Sequence, residues 1–144
     1  MSYPALGEIL YVFEKSDEKK SLIDYPAQRV RKTIIDFAAT MSNVGCEDLK
    51  LWTEEKIEYF LKETISYEEN FETPNAKIHA FNAYKTLAAF LRFAAKKEYL
   101  SLSTAKIDDL LHGIEGDSYL SQPIEPFTPE EDVKKLTKYQ DKTS

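Results

Sequence analysis

Lys85, Arg92 and Lys96 stand seven and four residues apart in "AFNAYKTLAAFLRFAAKKEYL", the stretch from Ala80 to Leu100. On a helix turning about 100° per residue they fall on one narrow line, which Phe81 and Tyr99 flank. Cations bordered by aromatic rings suit contact with an acidic protein surface or with phosphates, not bond-making chemistry. Charge segregation points the same way. Residues 73–106 hold six basic and one acidic residue, net +5, whereas residues 47–72 hold three basic and nine acidic residues, net −6. The basic line is then the solvated edge of a nearly buried helix, or it satisfies the acidic block across packed helices, or it faces a partner. Lys85, Arg92, Lys96, Phe81 and Tyr99 are therefore the candidate partner-binding residues.

The other residues that could carry chemistry are poorly placed for it. His79 and His112 lie 33 residues apart, with no Cys or second His three or four residues from either, so no metal-ligand spacing exists. Cys46 is the single cysteine; it cannot form an internal disulfide, and no family signature surrounds it, so it reads as a small, partly buried apolar residue. Four glycines are too few for a phosphate-cradling loop or a dinucleotide fingerprint, and there is no Gly-x-Ser-x-Gly elbow. Carboxylates such as Asp108, Asp109, Glu130 and Glu131 sit at helix starts or on polar faces, where solvation and the helix dipole account for them. The expectation is a protein without catalytic residues, metal or cofactor.

The elements that position the basic line are all expected to be helical, because apolar residues recur at three and four rather than at two. A first helix from Pro4 presents Leu6, Ile9, Leu10 and Phe13, and "KSDEKKS" follows as a solvated loop. A second, after Asp24 with Pro26 in its first turn, carries Val30, Ile34, Phe37, Ala38 and Met41, with Gly45 to stop it. Thr53 caps a third, which turns Phe60, Leu61 and Ile65 inward. Trp52 and Ile57 at its start fit a hydrophobic staple; the alternative for Trp52 is a ring that stacks on a ligand. After the acidic connector "SYEENFE", Thr73 and Pro74 open the longest helix, running to about Tyr99 with Ala80, Ala83, Tyr84, Leu87, Phe90, Leu91 and Ala94 on its core face. A fifth follows Ser103, buries Ile107, Leu110, Leu111 and Ile114, and ends at Gly113 and Gly116. "DSYLSQPIEPF" reads as a connector, and "TPEE" as the capping box of a last helix whose apolar face is only Val133, Leu136 and Tyr139.

The chain of 144 residues is 42% hydrophobic and 31% charged, the balance of a globular domain. Its net charge of −6 disfavours a nucleic-acid-coated protein, though not a local basic patch. No apolar run approaches the roughly 18 residues that span a bilayer, and the N-terminus lacks the features of a signal peptide, so a cytoplasmic location is expected.

In the order of its elements, "YPAQRVRKTIIDFAATM", "WTEEKIEYFL", "AFNAYKTLAAFLRFAAKKEYL" and "STAKIDDLL", the stretch from Tyr25 to Leu111 resembles the SAM-like core-binding domain of tyrosine recombinases. The resemblance implies a helical unit that clamps one side of a DNA duplex. It implies no recombinase activity, since the residues of the recombinase catalytic domain are not present, and three arginines in the whole chain are few for a DNA clamp.

The sequence thus predicts an all-α fold: a compact bundle of about five helices over residues 1–116, with residues 117–144 forming an extended connector and a short, loosely attached C-terminal helix. The expected function is that of a non-catalytic adaptor or regulatory domain with an acidic protein partner. The alternative is a nucleic-acid-binding module that uses the basic line.

Overall fold

The computed structural model describes residues 5–22, 25–69 and 76–116. Among them every regular element is helical: α1 (Leu6–Glu14), α2 (Asp17–Lys20), α3 (Ala27–Asn43), α4 (Glu54–Glu69), α5 (Ala76–Lys96) and α6 (Thr104–Gly116), with one 3₁₀ turn at Leu49–Leu51. The all-α bundle expected from periodicity is the observed architecture. Pro4, Asp24, Thr73, Pro74 and the region from Asp117 onward lie outside the described residues, and with them the expected connector and last helix.

Local chemistry explains most of the boundaries. Ser16 accepts a hydrogen bond from the Lys19 amide (3.2 Å), which caps α2 where a solvated loop was expected; acids at its start and lysines at its end suit the dipole of this single turn. Gly45, at φ +86°, ends α3: its amide donates to the Ser42 carbonyl (3.0 Å) and the Cys46 amide to that of Met41 (2.9 Å), the left-handed stop that glycine favours. Thr53 Oγ1 accepts from the Lys56 amide (3.2 Å) and caps α4 as its sequence position predicts. Trp52 and Ile57 are both buried, and the Trp52 indole N–H donates to the Cys46 carbonyl (3.1 Å), so this ring is a core staple and not a stacking surface.

Four boundaries differ from expectation. Pro26, expected in the first turn of α3, is its N-cap residue, with an extended ψ of 132°, and the helix begins at Ala27. Helix α4 continues through Ser66–Glu69, which had read as connector, because Ile65 is still buried and carries the apolar line into that turn. Helix α5 stops at Lys96 rather than near Tyr99: Glu98 takes a positive φ of 62°, and the Tyr99 amide turns back to the Ala94 carbonyl (2.8 Å). Gly113 lies inside α6, which runs on to Gly116.

Helix α5 is the central pillar. It packs against α2, α3, α4 and α6, and its whole expected core face is buried. Ala88, Ala89, Phe93 and Ala95 are buried as well, so the helix is enclosed nearly all round and only a thin polar edge is left. A set of rings ties the other elements to it: Phe13 of α1 meets Phe90 and Phe93 edge-on at 5.4 and 5.3 Å, and Trp52, 6.5 Å from Phe90, meets Phe37 of α3 at 5.5 Å. No helix of the described residues is long and apolar enough to cross a membrane.

Candidate functional site

The thin polar edge of α5 is the expected basic line. Lys85, Arg92 and Lys96 are all exposed, while Phe81 and Tyr99 are half-buried. Phe81, Lys85 and Arg92 meet around a small notch between α2, α5 and α6, floored by Ala88 and Ala89. Lys96 and Tyr99 lie beyond it, Tyr99 against the buried ring of Phe93 at 5.9 Å.

Two of the three cations already have counter-ions. Arg92 donates to Asp108 of α6 at 3.1 Å, and Lys96 pairs with Glu18 of α2 at 3.5 Å. Lys85 is in no ion pair with a described residue; its ammonium lies 5.6 Å from the centre of the Phe81 ring. The acids come from α2 and α6 and not from the acidic α4, because α4 turns its apolar line of Ile57, Leu61 and Ile65 to the core.

Tyr84 also lines this notch. Its hydroxyl donates to the Leu111 carbonyl (3.4 Å), and burial, reinforced by the Glu115 carboxylate, holds its pKa well above the ordinary tyrosine value. A raised tyrosine pKa means that the fold favours the neutral ring. This stability is fully present below the unfolded value of about pH 10 and is lost as pH rises through the folded value. The melting temperature should therefore fall on alkaline titration from about pH 10, and Tyr84→Phe should flatten that fall while costing about 1 kcal/mol or less at neutral pH. An alkaline profile unchanged by Tyr84→Phe would contradict the assignment.

A larger feature lies on the opposite flank, where α3 and α4 run side by side over the start of α5. An open groove of about 710 Å³ separates them. On the α4 side its wall is Tyr59, Glu63 and Tyr67, spaced four residues apart, with Phe60 and Thr64 deeper. The α3 side supplies Arg29, Lys32, Asp36 and Thr40, and His79 and Ala83 of α5 form the floor.

The two tyrosines are 60% and 66% exposed, among the most solvent-facing large side chains described, which a folded domain does not need for its own stability. Tyr59 packs edge-on against Phe60 at 5.1 Å, a contact that restricts its ring. Arg29 donates to Nδ1 of His79 at 3.2 Å, and in that arrangement Nε2 carries the imidazole proton. Beside it, burial raises the Tyr25 pKa, and the Arg29 guanidinium partly offsets that rise. Lys32 pairs with Asp36 at 2.7 Å, which holds the ammonium pKa up. Glu63 is in no ion pair with a described residue.

The sequence reading missed this groove. Its signal was available in the Glu55, Tyr59, Glu63, Tyr67 spacing, a ridge of alternating acid and tyrosine on the polar side of α4. The remaining chemistry-bearing residues are scattered: Cys46 is buried beneath Trp52, His112 is exposed on α6, and no group of three or more His, Cys, Asp or Glu among the described residues could hold a metal ion. The chain matches no protein-family model, no curated protein and no solved structure.

Proposed function

We propose that this chain is a non-catalytic interaction domain that binds a protein segment in the groove between α3 and α4. One observation carries the reading: two exposed tyrosines wall an open groove of about 710 Å³, while two of the three cations of the α5 line are engaged within the chain. Tyrosine gives large contact area at little entropic cost and tolerates both water and an apolar partner, which suits a surface that is bare in one state and covered in another. From Arg29 to Thr40 the groove is about 16 Å long at 1.5 Å rise per residue, room for about three turns of a partner helix.

Capture from native lysate with nuclease treatment tests this, using the chain itself, a Tyr59→Ala/Tyr67→Ala variant and a Lys85→Gln/Arg92→Gln/Lys96→Gln variant. The expected result is a nuclease-resistant protein partner kept by the glutamine variant and recovered at least tenfold less by the tyrosine variant. Loss in the glutamine variant alone would put an acidic partner, or with nuclease sensitivity a nucleic acid, on the basic line instead. Glutamine is used because glutamate at position 92 would be repelled by Asp108, confusing a binding defect with a folding one.

A further inference from the structure

Resting on the groove as the binding site, we infer that its partner is a basic segment, one that brings arginine or lysine side chains to the tyrosine wall of α4. The charge around the groove argues for this. On its α3 side Lys32 is paired with Asp36 and Arg29 donates to His79, and the acids of the lining, Asp36, Glu63 and Glu68, outnumber these two cations. Glu63, between the two exposed tyrosines, is in no ion pair with a described residue. Glu68 adds a second negative charge at the same end of the groove, where its field reaches Tyr25 and Lys32.

Along the same ridge Glu55 continues the acidic face toward the start of α4. Residues 47–72, which include the whole of this helix, carry nine acids against three bases. A guanidinium laid between Tyr59 and Tyr67 would stack on an aromatic face and meet the Glu63 carboxylate in one position, a combination that aliphatic or acidic side chains cannot supply. An acidic segment would instead meet Glu63 and Glu68 with like charge. A second copy docking through this same face is a poor occupant for the same reason, since that face is acidic.

The test must separate a specific site from the general attraction of cations to a chain of net charge −6. Three synthetic 14-residue helical peptides share one leucine stripe and carry arginine, glutamine or glutamate at every other position. Each is titrated into the ¹⁵N-labelled full chain and followed by amide shifts and affinity. The arginine peptide should move amides within residues 29–40 and 59–68 and bind at least tenfold more tightly than the glutamine peptide. Tyr59→Ala/Tyr67→Ala leaves the charge unchanged; it should weaken the arginine peptide about tenfold, and Glu63→Gln should weaken it several-fold, with the helical signal retained in both variants and the melting temperature lowered slightly in the tyrosine variant, which loses the ring contact with Phe60.

Arginine-peptide affinity indifferent to the tyrosine variant would overturn the inference, since it would show attraction by net charge alone. Glutamine or glutamate peptides seated in the groove as tightly as the arginine peptide would overturn the basic-segment assignment while upholding the groove. Failure of all three peptides would also overturn that assignment; the groove itself falls only if lysate capture is indifferent to Tyr59 and Tyr67 as well.

Discussion

Phe13→Ala is expected to cost about 3–5 kcal/mol, the range for removing a fully buried aromatic ring. Phe13 is completely enclosed and makes edge contacts with both Phe90 and Phe93, so the loss includes two aromatic pairs as well as a cavity too large for α1 to close. Among the described residues helix α1 is held otherwise by Ile9 and Leu10, with Leu6 at its margin, and by the exposed pair of Arg31 with Glu14, and pairs of that kind contribute about 0–1 kcal/mol. The damage should therefore begin locally. Amide protection in α1 and α2 should drop before that of α4 to α6, and the urea midpoint should fall in step with the loss. Phe13→Leu, which refills most of the volume, should recover more than half of it. A midpoint unmoved by Phe13→Ala would mean that the first helix is not docked on the aromatic cluster.

Leu87→Ala should cost about 2–5 kcal/mol, and its signature should be global rather than local. Leu87 is fully buried at the middle of α5, the helix against which α2, α3, α4 and α6 all pack. The neighbours on its face include the small side chains Ala83, Ala80 and Ala94, which have no reach to fill the space. For a domain whose total stability is about 5–15 kcal/mol, this is a large fraction, and all helices should lose protection together. The measurement is urea unfolding with amide exchange on the same samples. A variant that loses protection in only one helix would contradict the central placing of α5.

Expectation and structure part most at the helix ends. The core line of α5 was legible from its periodic stripe alone, and those of α3 and α6 because each pairs such a stripe with a local cap: Gly45 after α3, Ser103 Oγ accepting from the Lys106 amide (3.2 Å) before α6. Helix α2 was not, since four polar residues have no stripe and the turn is held by a serine cap and by the burial of Leu22 just after it. The left-handed Glu98 was also hidden: nothing in "AAKKEYL" breaks a helix. The chain turns there because Leu100 is buried and because the segment after α5 is held to the 3₁₀ turn, with Ser101 Oγ donating to the Lys50 carbonyl (2.7 Å).

By itself the sequence determined the all-α class, the central helix and the residues of its basic line, since all three follow from a period of 3.6 along one segment at a time. Only the tertiary structure decided what those residues face. Asp108 and Glu18 reach Arg92 and Lys96 from helices 16 and 78 positions away along the chain. The groove at Tyr59 and Tyr67 exists because α3 and α4 lie side by side over α5, each with its own apolar stripe turned to the core. Periodicity states which face a helix buries, but not which neighbour lies beside the face it leaves exposed. That depends on how several stripes share one core, a condition on all the helices together.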